Sequence, residues 1–459
     1  MIVADAFRDR RVAVVGLGRS GLSAARSLAA GGATVLAWDD DEDSRERAAA
    51  EGIPLADPVA EGFDDIAALV LSPGIPHSFP APHAAARLAR EHDCPILCDI
   101  ELLGLARPRA HYLGITGTNG KSTVTALLGH ILGAAGIARC TGGNLGPPVL
   151  EFDDPGADGW FVLEMSSYQL ERTFSIAFAV AVLVNISADH LDRHGGMEGY
   201  IAAKERIFAG QGPTHTAVVG IDDAHSRAVL EGLRATGGGR IVPVSAGHHA
   251  PGGVALDDDG RLRDETGPEP VSAAGLDAIA TLPGRHNRQN IAAAWAAARA
   301  VGIAPDIIGR ALHDYPGLPH RQQRVASTGD IAWINDSKAT NPEAAARALA
   351  CYDSIWWIAG GRAKDATLAP VLPFLDRVRH AILIGEAAPA FAEALDGRVP
   401  VTVAGDLAAA VDLARREARG PDAVVLLSPA CASFDQFASF EARGEAFRKL
   451  VTELREPTA

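Results

Sequence analysis

Short, wholly apolar runs alternate with helical patterns from one end of the 459-residue chain to the other. A strand that is apolar at every position must be covered on both faces, and helices between such strands supply the cover. In the first hundred residues, Arg11 to Val15 predicts a strand, Ser20 to Ala30 a helix and Ala33 to Trp38 a second strand. Ile66 to Leu71 and Pro95 to Cys98 add strands on either side of the helical stretch Ala84 to Glu91. That order predicts a parallel α/β domain. A second series starts at Tyr112 to Ile115, continues through Trp160 to Leu163 and Ala177 to Asn185, and closes near the helix Asn290 to Ala300 and the segment Asp306 to Tyr315. Within it, Gly247 to Gly267 is rich in Gly and Asp and predicts loops or a small β excursion. A third series follows Gly317-Leu318-Pro319, with strands at Ile331 to Ile334, Ser354 to Ala359, Ala381 to Ile384, Val399 to Val403 and Ala423 to Leu427. At ~150 residues per domain the length asks for about three. The expectation is three α/β domains, at 1–100, 101–317 and 318–459.

Charge narrows the partners. Forty-two Lys and Arg against 57 Asp and Glu leave a net charge of −15, which argues against a broad nucleic-acid surface or an anionic membrane. Small anions remain open, because they need only a local cluster of donors. The longest apolar run, Ile176 to Val184, is nine residues, against the ~20 that a membrane span requires. Val12 to Val15 is too short for the apolar core of a signal peptide. Five scattered cysteines (Cys94, Cys98, Cys140, Cys351 and Cys431) suit reduced thiols and make a poor zinc site. A cytoplasmic protein is expected.

Several loops carry chemistry. Gly16-Leu17-Gly18-Arg19-Ser20-Gly21 follows a strand and opens a helix, and Asp39 ends the next strand. Glycines there let the backbone approach a pyrophosphate at a helix N-terminus, and the acid binds a ribose hydroxyl. A tight turn without ligand, supported by the adjacent Asp40 and Asp41, and a true NAD site stay open. Thr116-Gly117-Thr118-Asn119-Gly120-Lys121-Ser122-Thr123 is sharper. Its backbone N–H groups can cradle phosphates, Lys121 can reach their outer oxygens, and Ser122 or Thr123 can meet Mg²⁺. Glu164 ends a strand where a metal-bridging carboxylate is expected, although Ser166 or Ser167 as a helix cap explains that turn equally well. Asp189, His190, Asp192 and His194 crowd the end of another strand. In Tyr200 to Phe208, Lys204 shares a helical face with Tyr200, Ile201, Ile207 and Phe208, where a lysine ordinarily snorkels to water. Arg285 to Asn290, Leu318 to Arg321, Asn335 to Pro342 and Leu427 to Phe437 are polar stretches, two of them following strands. Each has a capping explanation; together they suggest one composite site between domains.

Taken together, Thr116 to Thr123, Glu164, His190, Lys204, His286-Asn287, Pro319-His320-Arg321 and Asp336 to Asn341 resemble the Mur ligases of peptidoglycan synthesis. Ser72 to Ile75, the Asp-Ser-Lys-Ala-Thr-Asn run and Ser428 to Ser433 are similar to the members that join D-glutamate to UDP-N-acetylmuramoyl-L-alanine. The resemblance implies a Rossmann-like N-terminal domain for the nucleotide sugar, a central P-loop-type ATPase domain and a Rossmann-like C-terminal domain, in a monomer. It implies ATP and two Mg²⁺ ions, with Lys121, His190 and Lys204 in the chemistry. ATP would be held by Gly117, Thr118, Asn119, Gly120, Lys121, Ser122, Thr123, Asn290, Arg321 and Asp336. The UDP substrate would meet Gly18, Arg19, Ser20, Asp39, Ser72, Pro73, Gly74, Asn144 and His190, and D-glutamate would meet Thr340, Lys364, Ser433, Phe434 and Phe440. Ser122 and Glu164 would hold one Mg²⁺, and His190 with Lys204 the second. A protonated lysine cannot ligate Mg²⁺, but the carbamate formed from a neutral lysine amine and CO₂ can, and burial favours the neutral amine. Two other readings stay open: a ligase like folylpolyglutamate synthase, which shares the ATP loop but needs no N-terminal nucleotide domain, and an NAD-dependent dehydrogenase, which leaves Lys121 and everything beyond it unexplained.

Overall fold

The apolar runs form parallel strands. Arg11–Val15 pairs in parallel with Thr34–Trp38 on one side and Ile66–Leu71 on the other, and Ile96–Leu97 completes a four-stranded sheet. The computed structural model describes residues 1–276, 278–363, 367–420 and 422–453. A nine-stranded sheet spans residues 111–273 and a six-stranded sheet residues 323–427. The chain divides into two compact units, Met1–Leu276 with Arg288–Asp314, and Asp277–Asn287 with Tyr315–Ala459. The first unit holds the four- and nine-stranded sheets, and the second the six-stranded sheet.

In the nine-stranded sheet His111–Thr116 lies between Trp160–Glu164 and Val180–Leu183, all parallel. The chain leaves His111–Thr116 for Arg139–Gly143, two places away on one side, and later runs out on the other. Helices from successive strands therefore diverge at the carboxyl end of His111–Thr116, which opens a crevice there. The expected strand Ala177 to Asn185 is only Val180–Leu183. Of its flanks, Phe178 and Val184 are buried and Ala177 is exposed, and Phe178 O turns aside to accept from Gln211 Nε2 at 2.8 Å. Three strands beyond those predicted belong to the sheet, Arg139–Gly143, Thr216–Gly220 and Arg240–Ala246. Pro243 within the latter reads as a breaker. The Gly- and Asp-rich stretch forms the antiparallel pair Val254–Leu256 and Leu262–Asp264.

Helix Asp99–Ala106 follows the first sheet, and its Ile100, Leu102 and Leu103 lie in one core with Val12 and Val14 of the first sheet and Phe161 and Leu163 of the second. In the six-stranded sheet Ile331–Asn335, Val424–Leu427 and Ile355–Gly360 are parallel neighbours with buried cores on both faces. The loops after these strands emerge at one edge. No helix of the described residues is long and apolar enough to cross a membrane.

The glycine turn of the first sheet has little slack. A Cβ on Gly21 would lie 1.7 Å from Gly16 O, and one on Gly16 would lie 2.6 Å from the Ser72 Cβ. Gly21→Ala should therefore push the helix off the turn and cost about 1–3 kcal/mol, read as a lower urea midpoint. An unchanged midpoint would mean that the helix shifts freely.

Candidate active site

The loop after His111–Thr116 is shaped by its glycines. Gly117 has φ 148° and Gly120 φ 88°, and helix Lys121–Ala134 follows directly. A Cβ at Gly120 would meet Asn290 Oδ1 at 2.2 Å, so glycine is what lets that amide approach. Thr118 N donates to Asn185 O at 2.8 Å and Asn119 N to Asn185 Oδ1 at 2.9 Å, fixing the loop to the end of the neighbouring strand. Lys121 folds back: its Nζ donates to Gly117 O at 2.8 Å and Thr118 O at 2.9 Å. Ser122 and Thr123 are buried in the helix's first turn. Main-chain donors at a helix N-terminus with a lysine beside them suit a polyphosphate.

Lys204 also reaches this loop. It is 1% exposed, its Nζ donates to Gly117 O at 2.9 Å and lies 4.5 Å from the centre of the Tyr200 ring. The snorkelling alternative is overturned, because the amine points into the protein. Burial, and then Lys121, hold its pKa well below the ordinary lysine value, while Asp189 opposes them. Two amines therefore share one carbonyl.

Glu164 stands at the end of the adjacent strand, 2% exposed. Asn144 Nδ2 donates to its Oε1 at 2.8 Å, while Oε2 is buried with no hydrogen-bond partner among the described residues. An orphaned carboxylate oxygen beside a phosphate-type loop fits a divalent cation. No group of three or more His, Cys, Asp or Glu among the described residues is disposed to hold a metal; Mg²⁺ commonly takes only one or two carboxylates and completes its shell with phosphate and water. The capping explanation holds as well, since Ser166 forms a capping box with Gln169. His190 sits with φ 53° at the head of a short helix, half-exposed, 3.6 Å from Asp189 and with its ring 5.3 Å from that of Tyr168.

At the first sheet, Asp39 Oδ2 accepts from Leu17 N at 2.6 Å and Oδ1 from Asp41 N at 2.9 Å. The neighbouring acids have structural duties: Asp41 caps helix Glu42–Ala50, and Asp40 lies 3.1 Å from His83. Ser72 Oγ donates to Gly16 O at 2.8 Å, bringing Ser72, Pro73 and Gly74 beside the turn Gly16, Gly18, Arg19 and Ser20. Asn144, expected with this group, donates to Glu164 Oε1.

In the second unit Asp336 is buried between Ser428 Oγ, 2.9 Å from Oδ2, and Gln322 N, 3.1 Å from Oδ1. Burial pushes its carboxyl up to about 7, against the pull of Ser428 and Arg321. Asn341 caps helix Pro342–Leu349, with Pro342 at its first position. Thr340 N bonds Lys338 O at 2.9 Å, and Phe440 packs edge-on to His320 at 6.4 Å. Ser433 is 2% exposed with its hydroxyl unpartnered among the described residues, whereas Phe434 is 63% exposed. Lys364 lies outside the described residues. A cleft of about 390 Å³ is lined by His286, Arg347, Cys351 and Phe374 among others. Burial, with Arg347 and Arg321, pushes His286 down to about 4, so it is neutral there.

Residues without a sequence signal hold these loops. Arg443, 1% exposed, donates to Ser337 Oγ (3.0 Å), Ser337 O (2.9 Å) and Cys431 O (3.0 Å). It lies in a helix that also carries Glu441, Glu445, Arg448 and Lys449, so pattern alone does not set it apart. Tyr200 Oη lies 3.1 Å from Thr118 Oγ1, and Arg172 is buried beneath Ser72 and Pro73.

The Mur ligase middle domain matches residues 115–298, and the Mur ligase glutamate ligase domain residues 320–431. The chain is 50% identical to the UDP-N-acetylmuramoylalanine–D-glutamate ligase of Paramagnetospirillum magneticum, covering 98% of each chain. It is 50% identical to that of Rhodospirillum rubrum, over 99% of this chain and 96% of the relative, and 48% identical to that of Caulobacter vibrioides, over 99% and 98%. In fold it is similar to UDP-N-acetylmuramate–alanine ligase from Thermotoga maritima, with a TM-score of 0.60 at 15% identity over 97% of this chain and 100% of that one. With both domains in chain order and relatives half identical along nearly its whole length, the chain belongs to the Mur ligase family.

Proposed function

We infer that this protein is an ATP-dependent ligase of peptidoglycan precursor synthesis that joins D-glutamate to UDP-N-acetylmuramoyl-L-alanine. The observation that carries the reading is the full-length identity to ligases named for that reaction. The alanyl carboxylate attacks the γ-phosphorus of ATP, forming an acyl phosphate and expelling ADP. The glutamate amine then attacks the acyl carbon, loses a proton, and phosphate leaves with the bonding pair. A cytoplasmic monomer of three domains, 1–100, 101–317 and 318–459, goes with this reading.

A carboxylate attacking a polyanion needs charge offset and alignment, and the loop Gly117 to Thr123 is suited to both. Lys121 would leave the Gly117 and Thr118 carbonyls for the outer phosphate oxygens, and Asn290 would meet the nucleotide from beside Gly120. Mg²⁺, held by Ser122 and the free oxygen of Glu164, would offset charge on the transferring phosphoryl group. A second ion would rest on His190 and a carbamylated Lys204. Conversion of Lys204 to a carbamate replaces one of two competing amines with an anion, which relieves the repulsion from Lys121. The turn Gly16 to Ser20, with Asp39 and Ser72 to Gly74, would take the UDP group. In the second unit Arg321 and Asp336 would serve ATP; Thr340, Ser433, Phe434 and Phe440, with Lys364, would serve glutamate.

The deciding measurement is phosphate release with ATP, Mg²⁺, UDP-N-acetylmuramoyl-L-alanine and either glutamate enantiomer. Release is expected with D-glutamate and not with L-glutamate, and none with D-glutamate would overturn the reading. Lys121→Ala should retain its fold and lose ~10²–10³ in rate; near-normal turnover at saturating ATP would remove Lys121 from the chemistry. Lys204→Arg keeps a positive charge but cannot form a carbamate, so it should be inactive, while Lys204→Ala should regain part of its activity with added small carboxylates. An active Arg variant would overturn the carbamate.

A further inference from the structure

Arg172 has no part in the reaction as described, yet its side chain is among the most completely buried in the molecule, at 1% exposure. It makes no ion pair within 4.0 Å among the described residues. Its donors go instead to main-chain carbonyls: Nη1 to Leu71 O at 2.7 Å and Ser72 O at 3.3 Å, Nη2 to Pro73 O at 3.2 Å, and Nε to Tyr168 O at 3.2 Å. Three of these belong to the turn that leaves strand Ile66–Leu71, where the chain runs past its parallel partners and its carbonyls must find other donors. A planar guanidinium can bond several such carbonyls at once, which an ammonium cannot match.

The turn so held is not a passive one. Ser72 N donates to Val15 O at 3.0 Å and Ser72 Oγ to Gly16 O at 2.8 Å, so fixing Ser72 fixes the glycine turn. Arg172 itself is anchored in the segment that runs on from Glu164. Arg206, two residues beyond Lys204, grips the same segment through Leu170 O at 2.7 Å and Thr173 O at 2.9 Å. Glu101 Oε2 accepts from Phe174 N at 2.6 Å and Ser175 N at 3.0 Å. The base of Arg172 is therefore rigid.

We propose that Arg172 is a positioning residue for the UDP-substrate turn: it sets Ser72 and Pro73, and through Ser72 the Gly16 turn, in the conformation that receives the nucleotide diphosphate. This rests on the ligase reading above, both for the identity of the substrate and for the turn's role as its diphosphate cradle.

The test compares Arg172→Lys and Arg172→Ala with the parent. Affinity for UDP, measured by calorimetry without turnover, should fall about ten-fold or more in both, the range expected for lost charged hydrogen bonds. KM for UDP-N-acetylmuramoyl-L-alanine should rise in step, KM for ATP should stay within about two-fold, and millimolar guanidinium should restore UDP affinity to Arg172→Ala. Folded variants with unchanged UDP affinity, or with KM for both substrates raised alike, overturn the proposal. Failure of even Arg172→Lys to fold overturns it too, by making the residue one of stability. If the parent binds UDP but releases no phosphate, the ligase reading fails, and the calorimetric comparison still decides the role of Arg172.

Discussion

The carbonyl oxygen of Gly117 is the point on which the central part of the molecule turns. Two amines, from Lys121 at the head of its helix and from Lys204 on a distant one, donate to it at 2.8 and 2.9 Å. Only a glycine at φ 148° presents that carbonyl to both. The arrangement concentrates positive charge in a buried place, which is costly unless an anion arrives or one amine gives up its proton. It suits the site to an anion, and of the two amines Lys204 is the more deeply buried, with its pKa held well below the ordinary lysine value.

Everything around that point keeps the neighbouring groups still. Asn185 ties the loop to the adjacent strand, Tyr200 meets Thr118, and Asn144 steers one oxygen of Glu164 and leaves the other bare. The segment after Glu164 passes this order on to the first sheet through Arg172. A buried arginine that bonds carbonyls rather than pairing with a carboxylate within 4.0 Å is a fastener for loops. The second unit uses the same device in Arg443, which joins the turn at Ser337 to the turn at Cys431. In each unit, polar turns at the carboxyl edge of a parallel sheet are fixed from below by one buried guanidinium.

Much of this was legible before any coordinates. In each sheet the strands that are apolar throughout announce themselves, because a strand buried on both faces must be so, while Arg139–Gly143 and Gln323–Thr328, with polar residues along them, do not. The loop Thr116 to Thr123 and the acid Glu164 stand out in the sequence because they follow apolar strands with residue types that phosphate and Mg²⁺ chemistry would need, although a helix cap accounts for the turn after Glu164 as well. The strand Arg240–Ala246, with Pro243 inside it, is less legible, since a proline reads as a break unless its position in the sheet is known. The true length of Val180–Leu183 was hidden for a related reason: apolar flanks continue the pattern whether or not they join a ladder.

Local pattern determined that Lys204 lies on an apolar helical face, but the face alone leaves two outcomes, a stem that snorkels or an amine turned inward. The carbonyl of Gly117, 87 residues away in the chain, decides between them. The roles of Arg172, Arg443 and Asn144 are likewise set by partners from 12 to 106 residues distant. The sequence by itself determined the alternation of strands and helices, the edge at which the loops gather and the chemistry that the loops can perform. Which buried charges are paired, which are left to wait for a ligand, and which hold the loops in place was decided only by tertiary structure, because burial and long-range hydrogen bonding are properties of neighbours in space.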